Sequence, residues 1–252
     1  MRFDGRAVLV TGASRGIGRA CAVAFAAAGA RVAVHYRSGS DAAAETLGLL
    51  AGAGHLTVQA DLADAGDVRR LVDGAAEALG GLDVLVNNAG VYVAHPVAEV
   101  PYGRWQAAWA ETLATNLVGA ANAAYCAVPH LRARGGGAIV NVSSRGAFRG
   151  EPDHPAYAAS KAGLNALGQS LALALGPYGI RVGTVAPGFT ETDMAAPYLE
   201  GEGGAAIKAQ SPLGRVATPE EVAYAVLFLA SPEAAFTTGT IVDVNGASYL
   251  RS

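Results

Sequence analysis

Tyr157 and Lys161 stand four residues apart in a stretch patterned as a helix, so their side chains share one face. A tyrosine with its ordinary pKa of ~10 is a poor proton donor and base at neutral pH, and a neighbouring ammonium favours the phenolate. Bringing the phenol to ~7 takes about 4 kcal/mol of differential stabilisation. Such pairs are common on helices, but composition singles this one out. The chain has two lysines, Lys161 and Lys208, against sixteen arginines. A compact ammonium has been kept at a place where a guanidinium is not equivalent. Ser143 and Ser144 end an apolar run, where a hydroxyl can donate to a carbonyl oxygen and stabilise a developing alkoxide. Asn116 falls inside a long helical stretch, where asparagine is locally unfavourable and asks for a reason.

A second constellation suits phosphate. The first apolar run meets Thr11-Gly12-Ala13-Ser14-Arg15-Gly16-Ile17-Gly18, and a helical pattern follows. Glycines let the backbone turn tightly and approach a ligand, and the helix start offers free N–H groups and partial positive charge to a pyrophosphate. The segment Tyr36-Arg37-Ser38 ends the second apolar run. A dinucleotide site that takes NAD usually places a carboxylate here for the ribose 2′-hydroxyl. Arg37, with Arg15 in the glycine turn, instead suits a 2′-phosphate, so the cofactor is expected to be NADP(H). The five histidines show no paired ligand spacing, so no metal site is expected; His154, just before Tyr157, either lines a substrate mouth or is a plain loop residue.

These groups need a scaffold, and the pattern supplies one. Short, β-branched apolar runs at 7–10, 31–35, 56–60, 84–86, 138–142, 181–186 and 240–244 read as strands covered on both faces. Helical stretches lie between them at 17–28, 41–50, 67–79, 105–133, 157–175 and 219–229. The alternation predicts an α/β, Rossmann-type, doubly wound parallel sheet of seven strands with helices on both faces. Nothing divides the 252 residues, which are expected to form one domain. Residues 189–212, too long for an ordinary connection and carrying Gly201, Gly203 and Gly204, are expected to be a mobile substrate lid. A net charge of −3 without a basic patch argues against nucleic acid. Cys21 and Cys126 lack metal-ligand spacing and read as thiols of a reducing compartment. No apolar run reaches the ~20 residues that span a bilayer, so a soluble cytoplasmic protein is expected.

The order Thr-Gly-x-x-x-Gly-x-Gly at 11–18, Asp61-Leu62, Asn87-Asn88-Ala89-Gly90, Tyr157-x-x-x-Lys161 and Pro187-Gly188 resembles the short-chain dehydrogenase/reductase family over essentially the whole chain. The likeness is strongest to the branch that includes 3-oxoacyl-carrier-protein reductases. The resemblance implies a catalytic set of Asn116, Ser144, Tyr157 and Lys161, with Ser144 preferred to Ser143 because it precedes Tyr157 by the family's thirteen positions. It implies that Asn116 distorts its helix and holds a water linked to Lys161. It places Asp61 and Leu62 beside the adenine, and has Asn88, Ala89 and Gly90 close the cofactor cleft and brace the sheet. Pro187, Gly188, Thr190 and Thr192 fall at the nicotinamide and a nearby phosphate, with Thr190 replacing the family's usual aliphatic residue. Arg145, where the family has a small residue, is expected at the substrate entrance.

The expected reaction is hydride transfer from NADPH to a small or medium ketone, reversible as alcohol oxidation. A 3-oxoacyl thioester reductase is the alternative, weakened because the positions where carrier-protein reductases use entrance arginines are Gly135 and Tyr178, although Arg132 and Arg134 adjoin the first. A sugar or polyol dehydrogenase and a cofactor-binding sensor without turnover also stand open. The family generally forms homotetramers, and a homotetramer or homodimer is expected, with the tail through Leu250 docking on a neighbour.

Overall fold

The computed structural model describes residues 1–200 and 203–251. The chain runs β1 (Ala7–Val10), α1 (Gly16–Ala27), β2 (Arg31–Tyr36), α2 (Ser40–Gly48), β3 (Leu56–Gln59), α3 (Ala65–Leu79), β4 (Val84–Asn87) and α4 (Tyr102–Leu113). It continues through a π-helical segment (Ala114–Gly119) into α5 (Ala120–Ala133), β5 (Gly137–Val142), α6 (Gly146–Arg149) and α7 (Pro155–Leu175). Then follow β6 (Ile180–Pro187), α8 (Ala196–Leu199), α9 (Gly204–Ala209), α10 (Pro219–Ala230) and β7 (Ile241–Val244). The strands form one wholly parallel sheet in the order β3-β2-β1-β4-β5-β6-β7.

Alternate residues of each strand feed opposite faces. Val8 and Val10 of β1 pack with Phe25 of α1 and Val226 of α10, while Ala7 and Leu9 pack with Leu71 and Leu79 of α3 and Leu131 of α5. Both faces are therefore covered, which is why the strands lack the polar alternation of a half-exposed sheet. Helix boundaries follow local chemistry. Asp64 accepts from the Asp67 N–H to start α3, and Gly80 closes it in the left-handed conformation. A capping box between Thr218 and Glu221 starts α10. Asp83, 2% exposed, ties the sheet's lower edge together: it accepts from the Ala7 N–H at 2.9 Å, from Arg6 at 2.8 Å and from Arg134 at 3.2 and 3.3 Å.

From β1 the chain winds outward through β2 and β3, then returns past β1 to β4. The strand order reverses between β1 and β4, and their carboxyl ends open the crevice where such sheets bind ligands. The helical stretch 105–133 is interrupted by a π-helical turn around Asn116, the distortion that the family resemblance implies, and the Asn116 amide pairs with Val91 in another loop. Residues 189–212 carry α8 and α9 and a bridge from Thr190 to Ala217, while Gly201 lies outside the described residues. Cys21 and Cys126 are buried and free. No helix among the described residues is long and apolar enough to cross a membrane.

Candidate active site

A cleft of about 390 Å³ opens above the carboxyl ends of the strands. At one end lies the glycine turn. Gly12 has φ +62°, and a Cβ on it would sit 2.8 Å from the Ala89 Cα, so only glycine fits between β1 and the segment after β4. Thr11 and Asn88 lock this junction. The Thr11 hydroxyl accepts from the Asn88 and Ala89 N–H groups at 2.9 and 3.1 Å, and Asn88 Nδ2 donates to the Thr11 and Gly12 carbonyls. His35 supports the turn from below. The Gly12 N–H donates to His35 Nδ1 at 2.9 Å, which leaves the ring's proton on Nε2, 3.1 Å from the Ala60 carbonyl. Burial lowers the His35 pKa, against the pull of Ala60 and Asp61, and keeps the ring neutral.

The first turn of α1 has no side-chain cap at Arg15 and no acidic residue, so its N–H groups stay open to an anion. Beyond it, β2 ends in half-buried Tyr36 and exposed Arg37 and Ser38 with no carboxylate. The Arg15 guanidinium lies 3.7 Å from Asp193, both largely exposed. Asp61 accepts from the Ala63 N–H through one oxygen, and Leu62 is buried beside it. These features suit a dinucleotide phosphate better than a plain turn: an uncapped helix start, a glycine packed against backbone, and a β2 that ends in Tyr36-Arg37-Ser38 without a carboxylate.

The other end carries the titratable groups. Pro155 opens α7, which presents Tyr157 and Lys161 one turn apart. Burial pushes the Tyr157 phenol up to about 12; the Ser144 hydroxyl pulls it down, and the Glu151 charge pushes it further up. Lys161 is pushed down to about 8 by burial. The ammonium donates to the Val142 carbonyl at 2.8 Å and stands 5.6 Å from the tyrosine ring centre. Ser143 is spent on the Lys161 carbonyl at 3.2 Å. Ser144 accepts from the Gly146 N–H at 3.0 Å, which leaves its own proton to donate. The Asn116 side chain grips both polar groups of Val91, at 2.8 and 3.0 Å, and donates to Ser160 at 3.2 Å.

The cleft brings together every residue expected at the cofactor, namely Gly12, Ser14, Arg15, Gly16, Ile17, Gly18, Tyr36, Arg37, Ser38, Asp61, Leu62, Asn88, Ala89, Gly90, Pro187, Gly188, Thr190 and Thr192, with Ser144, Tyr157 and Lys161. Asn116 is not in the wall but behind it. Sequence reasoning missed the outer wall: Tyr92, Glu151, Phe189, Met194 and Tyr198. Phe189, Met194 and Tyr198 fall within the stretch expected as a lid, and Tyr92 and Glu151 stand in irregular connections, with no spacing to single any of them out. His35 and Thr11 were missed as braces for the same reason. His154 is buried, stacked under Tyr92 at 3.6 Å and joined to the Tyr198 hydroxyl at 3.2 Å. Arg145 borders the cleft, but its guanidinium is not left open at the entrance. It is buried and donates to Gln210 and Ser248 at 2.9 and 2.7 Å, with no carboxylate in ion-pair reach among the described residues.

Comparison with known proteins agrees with this geometry. The profile of the family described as enoyl-(acyl carrier protein) reductase matches residues 12–247. L-rhamnose 1-dehydrogenase (NAD(P)(+)) of Azotobacter vinelandii is 40% identical over 97% of both chains. Cis-4-hydroxycyclohexanecarboxylate dehydrogenase of Sinomonas cyclohexanicum is 42% identical over 97% of this chain and 96% of its own. The crystal structure of a short-chain dehydrogenase from Burkholderia cenocepacia in complex with NADP superposes with a TM-score of 0.87 at 37% identity, covering 98% of this chain and 99% of that one. With its glycine turn, its paired phenol and ammonium, and these relatives along its whole length, the chain belongs to the short-chain dehydrogenase/reductase family.

Proposed function

We propose that the protein is an NADPH-dependent reductase of ketones, reversible as alcohol oxidation, with Tyr157 as the general acid. The observation that carries the reading is a half-buried phenol lining the cleft beside a hydroxyl whose proton is free, at the end away from the glycine turn. NADPH, when bound, supplies the hydride. Gly12, Ser14, Arg15, Gly16, Ile17 and Gly18 hold its pyrophosphate, Tyr36, Arg37 and Ser38 its 2′-phosphate, and Asp61 and Leu62 its adenine. Asn88, Ala89, Gly90, Pro187, Gly188, Thr190 and Thr192 shape the nicotinamide end. Ser144 donates to the carbonyl oxygen and polarises it, and Tyr157 gives that oxygen its proton. Lys161 would hold the ribose hydroxyls of the bound cofactor and supplies positive charge near the phenol. Asn116 fixes Val91 and the α7 turn, and so keeps the proton path from Lys161 in register. The NADP in the Burkholderia structure and the NAD(P) of the rhamnose enzyme support this cofactor.

The thioester alternative has less support. Arg134 is committed to Asp83, and Arg132 lies over the Tyr178 ring at 4.3 Å, so neither is set out for an acidic carrier. We read the chain as one domain with residues 189–212 as its lid, and its assembly as a homotetramer through the exposed apolar residues Val118, Tyr125 and Leu173. Tyr157→Phe tests the central claim. Ketone-dependent NADPH oxidation should fall by roughly a thousandfold while NADPH affinity, followed by fluorescence, stays within about threefold. Turnover within tenfold of wild type would remove Tyr157 from the chemistry.

A further inference from the structure

We infer that Glu151 receives a hydrogen-bond donor of the substrate, so that the preferred substrate is an uncharged ketone bearing a hydroxyl beside the reacting carbonyl, and in reverse the matching polyol. The inference rests on the reading of Tyr157 as the proton donor. Glu151 lies in the connection between α6 and α7 and lines the cleft. Room for its carboxylate exists because residue 146 is glycine: a Cβ there would stand 2.6 Å from Glu151 Oε1. Its Oε2 accepts the Tyr92 hydroxyl at 3.1 Å, and the Tyr92 ring meets Tyr157 edge-on, with centres 4.7 Å apart and planes at 84°. The carboxylate therefore stands one ring away from the reacting phenol.

That position works against the chemistry. A negative charge there pushes the Tyr157 pKa up, when an acid and base for carbonyl reduction needs it brought down. The nearby charges relieve the conflict only in part. Arg145 and Glu151 attract each other, but among the described residues no cation lies within ion-pair distance of Glu151. Arg145 and Arg149 both direct a guanidinium nitrogen to the Gln210 amide oxygen, at 2.9 Å each. His154 faces Tyr92 and Tyr198 and is held below its ordinary pKa by burial.

A carboxylate offers about four acceptor positions, and Tyr92 fills one. A substrate hydroxyl filling another would form a charge-assisted bond, spread the negative charge and ease proton transfer from Tyr157. A keto acid would instead bring a second negative charge beside Glu151. A plain ketone would leave the carboxylate desolvated and short of donors.

The test compares hydroxyacetone with butanone, which have equal numbers of heavy atoms, for wild type, Glu151→Gln and Tyr92→Phe. Wild type should favour hydroxyacetone in kcat/KM by roughly tenfold or more. Glu151→Gln should close most of that gap, and Tyr92→Phe, which keeps the carboxylate, should preserve it. In Glu151→Gln the pH at which sec-butanol oxidation reaches half its maximum should move down by about half a unit or more, because the charge opposing Tyr157 ionisation is gone. Equal kcat/KM for the two ketones in wild type overturns the inference, as does an equal loss on both ketones in Glu151→Gln with an unmoved pH profile. Calorimetric binding of propylene glycol and sec-butanol to the NADP-loaded protein is read separately. A wild-type preference for the diol that Glu151→Gln abolishes, without turnover of any ketone, sinks the redox reading and keeps the recognition. Turnover with equal affinities sinks the recognition alone.

Discussion

In the proposed cofactor reading Arg37 carries the choice between the two dinucleotides. It stands exposed at the carboxyl end of β2, and Asp61, which shares its cleft, has one oxygen held by its own turn. A phosphate monoester gains charge-assisted, two-pronged contacts from a guanidinium, each such bond adding about 1.5–3 kcal/mol. Arg37→Asp should therefore weaken NADPH binding by roughly ten- to a hundredfold and leave NADH binding unchanged or stronger, as measured by fluorescence titration. A ratio of the two affinities that stays within about threefold would take Arg37 out of the site. The expectation for Arg37 came from residue type and place alone. The Tyr157–Lys161 relation was legible only in part. Spacing puts them on one face, but the Tyr92 ring packed on the phenol and the Val142 carbonyl that takes the ammonium come from other segments, which the spacing cannot show.

At the scale of elements, the glycine turn depends on a neighbour in another strand. Its Gly12 N–H is satisfied by His35 of β2, which in turn reaches the carbonyl after β3. Protonating Nδ1 would set two donors against each other. The folded-state pKa lies below the ordinary 6.5, so on acidification the unfolded chain binds the proton first. The stabilisation is complete above about 6.5 and is lost as pH falls through that value towards the folded one. The thermal stability of wild type should fall steeply between about pH 7 and 5, with a parallel loss of NADPH affinity. His35→Gln, which can keep both bonds without titrating, should flatten that slope; equal slopes would show that His35 does not govern it. The strands and most helices were readable because apolar period and turn residues agree along the chain. Segment 189–212 was not, since α8 and α9 are four and six residues long, too short to leave a period. The aromatic wall of Tyr92, Phe189 and Tyr198 comes from three separate segments and exists only once the sheet has assembled.

Across the whole molecule, one carboxylate ties the amino-terminal ends of the central strands β1 and β4 together. Burial would raise the Asp83 pKa, but the Ala7 N–H, Arg6 and Arg134 outweigh it and hold it below its ordinary value. Its contribution is present above the unfolded value of about 3.8 and is lost as pH falls through the folded one. Asp83→Asn should reduce stability by about 2–4 kcal/mol near neutral pH, and denaturant unfolding near pH 2, well below the unfolded value of about 3.8, should show a smaller difference from wild type. A loss that stays constant over that range would assign the effect to packing. A different kind of dependence runs through the π-helical turn at Ala114–Gly119. A single extra residue there rotates everything downstream by about 100° relative to a regular helix. Deleting one position would mend the backbone ladder, yet Asn116 could then face Val91 only if Ala123, Ala127 and Leu131 swung off their seat on the sheet. The irregularity is the gear that lets one continuous rod present two unrelated faces, one to the reaction and one to the core.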